Sequence, residues 1–167
     1  CAVGIAQSAD LVHWQKVGEI LPDAPYEKRG LAAPCAIVLR NQVHLFYQTY
    51  GNGRKDAICH AISDDGIQFQ RNPSNPVFAP TGTWNCGRAI DADVVVFKDQ
   101  LLLYWATRGP DFKRQMVGVS AAPLNSGFER NVWQQRCDAP VLEPELPWEK
   151  DCIEASAVVS YRSKLYM

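Results

Sequence analysis

Apolar residues along the chain fall into short runs rich in β-branched and aromatic side chains, and small polar clusters separate them. Three segments repeat one pattern. Ala33–Leu39 leads through Arg40-Asn41-Gln42 into Val43–Tyr47. Asp91–Phe97 leads through Lys98-Asp99-Gln100 into Leu101–Trp105. Glu154–Ser160 leads through Tyr161-Arg162-Ser163 into Lys164–Met167. Each predicts a β-hairpin: a β-branched strand, a tight polar turn and an aromatic-rich strand. Aligned this way, the spacing from Ala33 to Asp91 is 58 residues and from Asp91 to Glu154 it is 63.

A second unit recurs between these hairpins. Ile5–Trp14 matches His60–Phe69 at a spacing of 55, each with a short strand, a Ser/Asp turn and an aromatic opening the next strand. A weaker echo runs from Val117 to Trp133. Two hairpins per period make four strands, the content of one propeller blade. No long amphipathic helix is predicted, and most Pro and Gly residues lie between the strand runs. The predicted fold is therefore all-β: a partial β-propeller over residues 1–167, holding the end of one blade, two whole blades and the start of another. Because the pattern begins and ends inside a blade, further residues are expected on both sides.

At one repeat position the residue type changes in a telling way. In this alignment Ala33, Asp91 and Glu154 are equivalent, each opening the strand that lines a propeller's central channel. Two carboxylates from different blades then converge at one mouth of the axis. Glycoside hydrolysis needs such a set, with one carboxyl protonated and another ionised. Arg88, Trp84 and Trp105 flank Asp91, and Trp148 precedes Glu154. Aromatic faces suit sugar rings, so Trp84, Arg88, Trp105 and Arg108 are expected to bind substrate, with Glu154 and Asp91 catalytic. Asp93 competes with Asp91 but falls one step deeper on the same face.

Composition narrows the partners. Formal net charge is −1, and Arg54-Lys55 and Lys113-Arg114 are isolated basic pairs, so no nucleic acid is expected. No apolar run is long enough for a membrane span. The six cysteines show no C-x-x-C spacing and read as unpaired thiols, with Cys35 and Cys59 in strand runs. His13, His44 and His60 fall on separate strands and make no metal site, and Asp64-Asp65-Gly66 reads as a turn.

At these residues the sequence resembles glycoside hydrolase family 43 and its relatives, five-bladed β-propellers. Ile90-Asp91-Ala92 is similar to that family's I-D-P strand, Ile153-Glu154-Ala155-Ser156 to its I-E-G/A-P strand, and Leu31-Ala32-Ala33-Pro34 to its W-A-P opening. Ala92 and Ser156 stand where the family has Pro. Ile58–Phe78 is also similar to the family 130 mannoside phosphorylases, and Arg88-Ala89-Ile90-Asp91 to the family 32 fructosidases. The resemblance implies that Glu154 is the general acid and that Asp91 tunes its proton affinity and holds substrate. It also implies a general base upstream of Cys1. The substrate would be a carbohydrate ending in an arabinose- or xylose-like sugar, cleaved with inversion by a secreted or periplasmic enzyme. No cofactor is implied; such propellers can carry an axial calcium, whose ligand would lie beyond Met167. Phosphorolysis, for which Arg88, Arg108 and His60 are the candidate phosphate ligands, and non-catalytic carbohydrate binding are the competing functions.

Overall fold

The computed structural model describes residues 1–167 and is all-β apart from three single-turn 3₁₀ segments. Strands β1 (Val3–Gln7) and β2 (Gln15–Ile20) form a two-stranded sheet. Strands β3 (Leu31–Leu39), β4 (Gln42–Thr49), β5 (Ile58–Ser63) and β6 (Gln70–Arg71) form a four-stranded meander. A second meander holds β7 (Ile90–Phe97), β8 (Gln100–Arg108), β9 (Gln115–Pro123) and β10 (Gln134–Gln135). A last hairpin pairs β11 (Val159–Tyr161) with β12 (Lys164–Tyr166). All pairings are antiparallel between sequence neighbours, as in successive blades.

The blades bury both faces of their middle strands, and strand alternation sends successive side chains to opposite seams. On β4 and β5, Leu45, Tyr47, Cys59 and Ala61 join Val3, Ile20 and Leu31 in the seam with the β1–β2 sheet. Phe46 and Ile58 point the other way, into a cluster with Leu101, Leu103, Trp105, Phe128 and Trp133 of the next blade. Apolar side chains on alternate faces of one strand therefore serve two different cores. Glu27, fully buried between β2 and β3, closes the first seam. It accepts hydrogen bonds from Arg71 Nε and Nη2, from the Tyr47 hydroxyl and from the Asp23 and Ala24 amides. Burial pushes its carboxyl up, but these donors together bring it below the ordinary range.

The repeated Ser/Asp units are real turns of one design. Ser8 and Ser63 accept from the amides of Leu11 and Gly66, while Asp10 and Asp65 accept from Val12 and His13 and from Ile67 and Gln68. The chain turns through positive φ at Leu11 (69°) and Gly66 (74°), and at Phe128 (57°) in the weaker echo.

Hairpin register corrects the sequence alignment. Leu39 pairs with Gln42, Phe97 with Gln100 and Tyr161 with Lys164, so the two-residue turns are Arg40-Asn41, Lys98-Asp99 and Arg162-Ser163. The second spacing is therefore 64 residues, from Lys98 to Arg162, not 63. Backbone conformation agrees: φ is 45° at Ala33, 50° at Asp91 and 53° at Ala155. Asp91 is equivalent to Ala155, and Glu154 to Ile90. In the first two cases the ladder shifts register at this point, between Ala32 and Cys35 and between Ile90 and Asp93. Such bulges re-aim side chains at strand ends.

Candidate active site

Asp91 lies in the bulge at the start of β7. A left-handed backbone is strained for most residues and better tolerated by Asp. Here it is held from the preceding blade, because Gln48, buried on β4, accepts the Asp91 amide hydrogen at 2.5 Å. Glu154 is held in a related way. The Gln115 side-chain amide, buried at the start of β9, donates to Glu154 Oε2. Gln115 cannot turn round without loss, because its Oε1 accepts from Arg108 Nε at 3.1 Å. Each acid is thus positioned by a glutamine of the blade before it.

The structure brings Asp91, Glu154, Arg88 and Arg108 into one electrostatic neighbourhood. Burial pushes the Asp91 carboxyl above its ordinary value, the Glu154 charge pushes it further, and the Arg88 guanidinium opposes both. Cys152 shares this field. Its thiol is pushed up by desolvation and by Glu154, with Arg108 opposing. Asp93 serves the framework instead. Its carboxylate accepts from the Val158 amide at 2.6 Å and from the Cys35 thiol at 3.5 Å, tying three successive inner strands together.

Trp105 does not face this site. It is fully buried and donates from Nε1 to Ser120 Oγ at 3.0 Å, because β8 alternation turns it into the seam core. That overturns its assignment to substrate binding. Trp84 is half-buried and stacks on Trp105 at 5.6 Å between centroids, with its indole N–H enclosed and unpaired. Arg88 approaches Asp56, Nε to Oδ2 at 3.6 Å. Arg108 donates from Nη1 to the Phe112 carbonyl. The crevice between Ala57, Phe78, Trp133 and Gln135 lies along the seam and is lined by no carboxylate, so it does not compete with this mouth as a reaction centre.

Several members of the site leave no mark in the sequence. Gln48 and Gln115 show only as amides ending apolar strands, and Arg54, Phe112 and Cys152 lie in loops with no repeat signature. Two of the histidines, on separate strands, meet in the fold: His44 and His60 stack in the seam, Nδ1 to Nε2 at 3.0 Å, with Asn72 on the far side of His60. All six cysteines are unpaired. No helix is long and apolar enough to cross a membrane.

Comparison with known proteins agrees with the fold. Residues 4–118 match the family model described as glycosyl hydrolases family 32 N-terminal domain. The match falls to family 32, although the strand motifs resemble those of family 43. A Bombyx mori family 32 beta-fructofuranosidase structure is 16% identical over 97% of this chain and 33% of its own, with a TM-score of 0.73. A family 117 glycoside hydrolase from Zobellia galactanivorans is 20% identical over 86% of this chain and 43% of its own, at 0.68. An alpha-L-arabinofuranosidase from Lactobacillus brevis is 10% identical over 89% and 46%, at 0.67. The chain thus spans about a third of the Bombyx mori protein.

Proposed function

Because this chain belongs to the glycosyl hydrolase family 32 N-terminal domain family, we propose that its protein is a glycosidase that removes a terminal furanose sugar from a carbohydrate. The observation that carries the reading is the acid pair: Asp91 at the start of β7 and Glu154 in the segment leading to β11 are each held by a glutamine from the preceding blade. The furanose preference draws on two fold relatives of 16% and 10% identity whose names describe furanosidases. Of the arabinose- or xylose-like expectation it keeps the arabinose-like part and adds fructose.

In this proposal Glu154, the more exposed carboxyl, donates a proton to the departing oxygen. Gln115 keeps one of its oxygens occupied, so the other presents the proton. Asp91, beside it, binds sugar hydroxyls with Arg88.

The test is leaving-group dependence in the full-length protein. Glu154→Gln is expected to slow hydrolysis of natural glycosides by about 10²–10⁴-fold, the usual contribution of a general acid. An aryl glycoside with an acidic leaving group needs little protonation, so its loss should be far smaller. The alkaline limb of the pH–rate profile should vanish as well. Equal losses on both substrates with an unchanged profile would remove Glu154 from the acid role.

A further inference from the structure

Three loops from two blades converge on the Phe112 ring. Arg54 sits in the 3₁₀ turn after β4, Arg88 just before β7, and Arg108 at the end of β8. Their guanidinium carbons lie 5.0, 6.0 and 4.9 Å from the ring centroid. No two can be farther apart than the 5.0 and 6.0 Å legs together. One arginine on an aromatic face is an ordinary staple for a loop. A second and third add mutual repulsion, since separations of at most about 11 Å are comparable with the Debye length of about 8 Å at physiological salt.

Arg54 and Arg108 hydrogen-bond only neutral acceptors, and Arg88 forms a long ion pair with Asp56. Arg54 Nη2 donates to the Pro110 carbonyl at 2.9 Å, and Arg108 donates to the Gln115 amide oxygen and the Phe112 carbonyl. These neutral acceptors set the guanidinium planes and leave most of the five donors of each fork free. Arg88 has a carboxylate nearby, Asp56, but at 3.6 Å its buried Nε makes no hydrogen bond. Asp56 is already committed through Oδ1 to Thr49 Oγ1 and the Asn52 amide. The geometry points to an oxyanion-binding subsite made by Arg54, Arg88 and Arg108 around Phe112, at the mouth that holds Asp91 and Glu154. Planar forks of this kind match carboxylate, sulfate and phosphate oxygens. The acids beside it would repel an anion at the reacting carbon. The anionic group therefore sits away from that carbon, as a carboxylate or sulfate substituent on the glycan or as a free phosphate. The sugar part of this inference rests on the glycosidase reading; the anion part does not.

Calorimetric titration of the full-length protein, at matched ionic strength, tests it with sodium glucuronate, inorganic phosphate and glucose. Glucuronate or phosphate should bind where glucose does not. Arg54→Gln and Arg88→Lys should each weaken the anion about tenfold, the scale of one charge-assisted hydrogen bond. Arg54 is exposed and touches only the Pro110 carbonyl and the Phe112 ring, so its variant should fold normally. Turnover that rises with inorganic phosphate assigns the subsite to free phosphate; glucuronate binding with turnover indifferent to phosphate assigns it to the glycan. Anion affinity equal to that of glucose, or unchanged in both variants, overturns the subsite. Hydrolysis of neutral glycosides without anion binding would sink this inference alone. Anion binding by a protein inert on every glycoside would sink the glycosidase reading alone.

Discussion

Asp91 concentrates the conflict between stability and chemistry in one residue. It has a φ of 50°, an enclosed carboxyl and a like charge in Glu154. A carboxyl whose folded pKa is raised stabilises the fold only while protonated. That contribution is complete below the reference value of 3.8 and is lost as pH climbs through the raised folded value. Ionised Asp91 therefore weakens the fold at neutral pH. Asp91→Asn is expected to raise Tm by about 1–3 °C at pH 7, the effect of a few tenths of a kcal/mol to one in a domain of this size, and to change it little at pH 3. A lower Tm at pH 7 would mean that the carboxylate is a structural partner. Activity should fall in the same variant, since the sugar contact proposed for Asp91 goes with its charge.

At the scale of elements, β8 and β9 show how register decides what a side chain can be. Trp105 lies opposite Gly118 in the antiparallel ladder. A Cβ on Gly118 would overlap the Trp105 six-membered ring. The glycine is required by this cross-strand contact, not by backbone conformation. Gly118→Ala is expected to destabilise by about 1–3 kcal/mol through overpacking, read as a lower urea midpoint with an unchanged slope. Adding Trp105→Phe should return part of the loss, because the smaller ring vacates the space. No recovery in the double variant would separate the two positions. The Ser8/Asp10 and Ser63/Asp65 turns are the opposite case: their hydrogen bonds are local, so the repeat in sequence is enough to specify them.

For the whole molecule, the seam between the two four-stranded blades carries both the packing and a pH dependence. His60 is enclosed there by Phe46, Phe128 and His44. Burial, and then the nearby His44, hold its pKa down to about 3. Burial also lowers His44, with Arg40 adding to it. For a depressed pKa the stabilising contribution is present above the unfolded value of 6.5 and is lost as pH falls toward the folded one. The full-length protein should therefore lose Tm steadily from pH 7 to pH 4. His60→Gln, which stays neutral, should flatten part of that slope. Identical slopes in the two proteins would show that the seam histidines do not drive it.

What the sequence determined by itself was the local and periodic part. Alternating runs, turn residues at regular spacing and an internal repeat are read by neighbouring backbone, so the blades and their order were legible before any coordinates. Asp91 and Glu154 stand out as candidate acids in the same way, since each replaces an apolar residue of the repeat. Tertiary structure decided the rest. One residue of register moved Glu154 off the repeat position of Asp91, because the last hairpin turns at Arg162-Ser163, one residue later than the sequence pattern places it. Alternation within β8 sent Trp105 into a seam, since which face is core depends on the neighbouring blade. The glutamines that hold the acids, the stacked histidines and the three arginines on Phe112 are joined only across blades. Contacts between loops far apart in sequence leave no period to read, and only the folded chain brings them within reach.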